Sequence, residues 1–209
     1  MKILELFKGS GSITKYFENK KDVEVISLDI LKKFEPTICC DIMEFDYKKY
    51  EIGYFDIIWA SPECKIFSIL QYTHIGKKWK NREELDKERE KHKIFINKTI
   101  EIIDYLKPKK YFIENPRYSA IWKYINNKDY LNKYIIVDYC RFGTDYKKPT
   151  KILTNVKKDN VLCLHTKAHK YNIGIISKSL IKNKDKIADP TNTLIRYSIP
   201  QGLLDYLFI

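Results

Sequence analysis

Two short loops hold the side chains best suited to covalent chemistry. In the first, Ser-Pro-Glu-Cys-Lys-Ile-Phe-Ser at 61–68 places Cys64 just after the apolar run 57–60 and a proline that enforces a turn. A cysteine is often no more than a small buried hydrophobe. Delivered to a loop by a buried strand, with Lys65 beside it to favour thiolate, Cys64 is instead a candidate nucleophile. Fifty residues on, Ile113-Glu114-Asn115-Pro116 repeats the design, an apolar strand ending in an acid, an amide and a proline. Glu114 could serve a structural pair. If the two strands are parallel neighbours, however, Cys64 and Glu114 share one sheet edge, a nucleophile beside a general acid.

A third loop, Phe7-Lys8-Gly9-Ser10-Gly11-Ser12, follows the first apolar run and precedes a helix-like segment at 13–17. Glycines at a strand-to-helix turn let backbone amides approach a ligand closely. Asp29 ends the second apolar run, 22 residues after Phe7. An acid at about this spacing holds ribose hydroxyls in dinucleotide-binding folds. Asp41 closes the short segment 37–40. Either acid could be an ordinary strand-end residue; the three features in order favour a nucleotide-type cofactor.

The elements that must position these loops are legible as apolar, β-branched runs at 3–7, 23–30, 55–60, 110–114, 134–139 and 151–154. Such runs are the pattern of strands buried on both faces. The clearest helix is Arg82–Leu106, with Leu85, Ile96, Ile100, Ile103 and Leu106 mostly at three- and four-residue steps. Asn81 can cap it, Glu83 and Glu84 put acid in its first turn, and Pro108 ends it. The highly charged stretch 75–93 reads as surface. Strands alternating with helices predict an α/β fold with a mostly parallel, doubly wound sheet. Its carboxyl edge would carry all three loops.

The 209 residues suffice for one substantial domain, and 44% hydrophobic residues indicate a folded chain. The formal charge of +12 suits a polyanionic partner, although a composition rich in Lys, Ile, Asn and Tyr also follows from AT-rich coding. Five cysteines without framework spacing imply free thiols in a reducing, intracellular setting, the cytoplasm or wherever the genome resides. No signal peptide or membrane span is expected, hence no membrane partner. Cys163, His165 and His169 raise the question of a metal, but zinc needs four ligands and no local residue completes the set, so none is expected.

Five ordered segments carry a family resemblance: LFKGSGS at 6–12, SPECKIFS at 61–68, IENP at 113–116, DYCRFGTDYKKPTKILTN at 138–155 and RYSIPQGLLDYL at 196–207. Together they resemble the DNA (cytosine-5) methyltransferase family, in its compact phage and bacterial branch without a large target-recognition domain. The resemblance implies a Rossmann-like S-adenosylmethionine-dependent methyltransferase fold. It divides the chain into a catalytic core at 1–155, a reduced variable region at 156–189, and a segment at 190–209 that packs back on the core. It implies that Cys64 and Glu114 are catalytic. Phe7, Gly9 and Gly11 would contact the cofactor's methionine half, Asp29 its ribose and Asp41 its adenine amine, with Ile30 and Ile42 flanking the adenine and Ser10 also binding the cofactor. Lys65, Ser68, Asn115, Lys148 and Arg196 would face the nucleic acid.

The implied activity is methylation of C5 of a flipped cytosine in DNA through a covalent Cys64 adduct. The alternatives are a tRNA-type RNA cytosine-5 methyltransferase and a catalytically silent nucleic-acid-binding homologue. Three departures bear on the choice. Glu63 and Lys65 replace the family's usual Pro and Gln around the nucleophile. Lys148 stands where an arginine is usual, and a point charge does not replicate a guanidinium fork. The family's C-terminal cofactor-binding segment is not found before Ile209.

Only about 35 residues separate Asn155 from Asp189, where the family's recognition domain would lie. Each good bidentate base contact supplies about 1–3 kcal/mol of discrimination, and so short a stretch leaves room for one or two of them. Bisulfite sequencing of treated DNA should therefore show a target context of no more than about two or three bases. Methylation confined to sites of five or more defined bases would contradict this.

Overall fold

The computed structural model describes residues 1–164, 171–172 and 197–209, the pair 171–172 by backbone alone. Its elements are β1 (Lys2–Leu6), α1 (Ser12–Phe17), β2 (Glu24–Asp29), β3 (Ile38–Cys39), β4 (Ile57–Ala60), α2 (Arg82–Leu106), β5 (Lys110–Pro116), β6 (Tyr134–Asp138), β7 (Tyr146–Lys147), β8 (Pro149–Thr154), β9 (Tyr171–Asn172) and α3 (Gln201–Phe208). Seven strands form one sheet in the order β3-β2-β1-β4-β5-β8-β6, while β7 and β9 pair separately.

β1, β2, β3, β4 and β5 pair in parallel, and β8 runs antiparallel to both β5 and β6. This is the 3-2-1-4-5-6 order of a doubly wound Rossmann-like sheet with one antiparallel strand inserted before the last. The insertion follows from chain length. Parallel neighbours need a long crossover, whereas the short turn after β6, with Gly143 at φ 90°, can only send the chain back antiparallel.

Successive residues of a strand face opposite sides, so each central strand feeds two cores. Leu4, Leu6, Ile58, Ala60 and Ile113 join Leu85, Ile96, Ile100 and Ile103 of α2 on one face. Ile3, Ile57, Trp59, Phe112 and Ile135 meet Ile13 and Phe17 of α1 and Leu203, Leu204 and Leu207 of α3 on the other. Trp59 stacks on Phe112 at 5.4 Å, and Phe208 of α3 meets Phe112 edge-on. Tyr16 donates to Asp205 Oδ1 at 2.8 Å, tying α3 to α1.

α2 has the expected bounds. The Asn81 side chain accepts from Glu84 N at 3.0 Å, and Lys107, left-handed at φ 47°, closes the last turn just before Pro108. The expectation that 75–93 is all surface needs correcting: Trp79, Leu85 and Arg89 are buried, Arg89 at 1% exposure. An arginine tolerates this only when its donors are satisfied, and Arg89 donates to Ile66, Ser68, Tyr72 and Asp86. Of the region 156–189, only 156–164 and 171–172 are described; Val161 continues the sheet beside β6 by bonding Ile136 and Asp138. Among the described residues no helix is long and apolar enough to cross a membrane.

Phe112 is fully buried between the ring of Trp59 and α3. Phe112→Ala should lower stability by about 3–5 kcal/mol, measured by denaturant unfolding at unchanged m-value.

Candidate active site

The carboxyl ends of β1, β2, β4 and β5 open into one cleft of about 1360 Å³. At its first end, β1 runs into Phe7, Gly9 and Gly11, all at positive φ. Gly11 caps α1 in a left-handed conformation that most residues resist, behind the cleft wall rather than on it. Glu5 anchors this turn from within β1. Its buried carboxylate accepts the backbone amides of Ile13 and Thr14, each at 3.1 Å, and burial pushes its carboxyl above the usual range.

Asp29 bridges two loops, taking Gly9 N at 2.9 Å on one oxygen and Leu31 N at 2.8 Å on the other. Asp41 accepts Met43 N at 2.9 Å. Phe7, Gly9, Ser10, Asp29, Ile30, Asp41 and Ile42 all line the cleft. Ile42 is buried, whereas Ile30 is 61% exposed and offers an apolar surface to a ligand. Acids for hydroxyl and amine groups, apolar faces and an open glycine turn fit a nucleoside bearing an amino-acid tail.

At the other end, parallel pairing of Ala60 with Ile113 brings the Cys64 loop beside Glu114. The loop is clamped from two sides. Asn115, buried, donates to Pro62 O at 2.8 Å. Arg89 donates to Ile66 O, Ser68 O, Tyr72 Oη and Asp86 Oδ1 at 3.1–3.3 Å. Ser68, at the cleft, caps the short turn after it by accepting Leu70 N. Glu63 points toward His92 of α2, Oε2 lying 3.6 Å from Nδ1.

The electrostatics of Cys64 differ from the expectation in one respect. Burial pushes the thiol up, and Glu114 and Glu63 add to that; the cation opposing them is Lys148, not Lys65. Lys65 is exposed at the cleft mouth. Lys148, nearly buried at 11% exposure, sits 3.3 Å from Glu114 Oε1, which also accepts the Tyr139 hydroxyl at 3.1 Å.

The cleft thus joins most of the expected residues: Phe7, Gly9, Ser10, Asp29, Ile30, Asp41 and Ile42 with Cys64, Lys65, Ser68, Glu114, Asn115 and Lys148. Arg196, His165 and His169 lie outside the described residues. Glu5, Arg89 and Tyr139 were missed. Glu5 is an acid inside an apolar strand, and Arg89 follows Leu85 by four residues on the buried stripe of α2; both signals were present in the sequence. Tyr139 gave none.

The chain is 30% identical over 160 residues to a probable DNA (cytosine-5)-methyltransferase of Frog virus 3, spanning 75% of this chain and 72% of the relative. The chain belongs to the DNA (cytosine-5) methyltransferase family. No family model matches it. Among solved structures, the Entamoeba histolytica methyltransferase EhMeth matches 81% of the chain at 19% identity and TM-score 0.49. A Spodoptera frugiperda DNMT2 variant matches 78% at 18% identity and TM-score 0.48. The chain spans only 57% and 55% of the lengths of these two structures.

Thiolate is the reactive form of cysteine, and Lys148 is what lowers the Cys64 pKa against burial. Removing that cation raises the pKa further. Lys148→Gln should therefore slow iodoacetamide alkylation of Cys64 at a given pH and move the rate curve to higher pH, read by peptide mass spectrometry.

Proposed function

We propose that this chain transfers a methyl group from S-adenosylmethionine to C5 of cytosine in DNA. The observation that carries the reading is one continuous cleft with Asp29 and Asp41 at one end and Cys64, Glu114 and Lys148 at the other. Ligand pockets usually measure about 300–1,000 Å³, so about 1360 Å³ leaves room for a cofactor and a base together. The name carried by the Frog virus 3 relative and the net charge of +12 support DNA as the polymer.

Phe7, Gly9, Ser10, Asp29, Ile30, Asp41 and Ile42 would hold the cofactor, with Gly11 fixing the turn. When bound, S-adenosylmethionine supplies an electrophilic methyl group on a cationic sulfur.

C5 of cytosine is a poor nucleophile. The Cys64 thiolate attacks C6, forming a C6–S bond and pushing an electron pair toward N3. Glu114 gives or shares a proton at N3, so the charge does not accumulate, and C5 becomes an enamine carbon able to take a methyl group. Once C5 carries the methyl group, a base such as a water in the cleft takes the C5 proton. The C6–S bond breaks with its electron pair leaving on Cys64, and the N3 proton returns to Glu114, which restores the aromatic ring. The base must leave the duplex for this, because neither Cys64 nor Glu114 can reach a stacked cytosine. Lys148 favours the thiolate and would contact the base edge. Lys65 and Ser68 at the cleft mouth, and Arg196, serve the strand, while Asn115 holds the nucleophile loop in place.

Cys64→Ala should abolish methylation of cytosine-containing DNA while leaving S-adenosylmethionine affinity unchanged by calorimetry. DNA carrying 5-fluorocytosine should trap a denaturation-resistant complex with the parent protein, because fluorine blocks the final elimination. Methylation surviving in the Ala variant, or activity on RNA alone, would overturn the proposal.

A further inference from the structure

We infer that Tyr139 is a positioning residue for Glu114, fixing which carboxyl oxygen carries the proton delivered to the base. The inference rests on the cytosine-5 reading above and adds a residue to it. Tyr139 lies just past β6 and Glu114 on β5, two strands away across β8. Its ring is fully buried, and its hydroxyl donates to Glu114 Oε1 at 3.1 Å. Lys148 Nζ reaches the same oxygen at 3.3 Å and lies 4.5 Å from the centre of the Tyr139 ring. Among the described residues, no donor bonds Glu114 Oε2.

Two donors on one oxygen, one of them cationic, concentrate the carboxylate's negative charge there. A carboxyl proton on Oε1 would meet an O–H and an N–H already pointing at it. It therefore resides on Oε2, which is left to face N3. The tyrosine hydroxyl is itself a poor acid here, since burial and the adjacent carboxylate push it well above its usual range, so it remains a donor throughout. Without it, the Glu114 carboxyl can rotate and present either oxygen, and the proton is no longer held where the base arrives.

The test replaces Tyr139 in the full chain. Tyr139→Phe removes only the hydroxyl, and 4-fluorophenylalanine at the same position also fills its volume without donating, which controls for loss of packing. Both should lower kcat for methylation of cytosine DNA by about ten- to a hundredfold, a share of what general-acid catalysis contributes. KM for DNA and the calorimetric affinity for S-adenosylmethionine should stay within about twofold, since Tyr139 touches neither ligand. 3-Fluorotyrosine, which keeps the O–H, should retain the parental kcat. Parental kcat in both donor-free variants would overturn this inference while leaving the proposed function standing. So would an equal loss with 3-fluorotyrosine. A parent that neither methylates cytosine nor traps 5-fluorocytosine would overturn both.

Discussion

The parallel register of β4 against β5 is the constraint on which the site depends. Ile57 pairs with Lys110 and Ala60 with Ile113, so β4 gives way to the Cys64 loop where β5 continues into Glu114. A one-residue slip would turn every side chain of one strand to the opposite face. A slip of β5 would take Ile113 out of one core and Phe112 out of the other, and Glu114 would point away from Cys64. The register is therefore enforced by burial on both faces, far more strongly than by the hydrogen bonds that mark it. Asn115 extends the constraint beyond the sheet by joining the end of β5 to Pro62.

Around that frame, the Cys64 loop is held by a side chain from the opposite direction. Arg89 comes from α2 and spends its donors on loop carbonyls and on Tyr72 and Asp86. Placing a guanidinium at 1% exposure is costly unless every such bond is made. The gain is specificity of conformation: the loop carrying Cys64 is denied alternatives. At the glycine-turn end of the cleft Glu5 does the corresponding work, joining β1 to the first turn of α1.

The charges in the cleft then follow from which strand reaches it. β8, running antiparallel between β5 and β6, starts next to Lys148 and presents that cation to Glu114 and Cys64. A nearly buried ion pair contributes little net stability, because its desolvation offsets its attraction. Beside a thiol that burial pushes up, the same cation has a chemical use.

By itself, the sequence determined the alternation of strands and helices, the bounds of α2, and the candidates Cys64, Glu114, Asp29 and Asp41. These rest on local signals: apolar periodicity, caps, and prolines or acids at strand ends. That Cys64 and Glu114 share an edge followed from the sequence only on condition that their strands are parallel neighbours, and the sheet order met that condition. Tertiary structure alone decided which charges act on the thiol. Lys65 is next to Cys64 in the chain yet exposed, Glu63 turns to His92, and Lys148, 84 residues away, is the cation that counts. Arg89 and Tyr139 likewise act across distances the chain does not display. Neighbours in sequence diverge wherever a loop turns them outward. Electrostatic effect depends on separation and burial, and only the packed sheet fixes both.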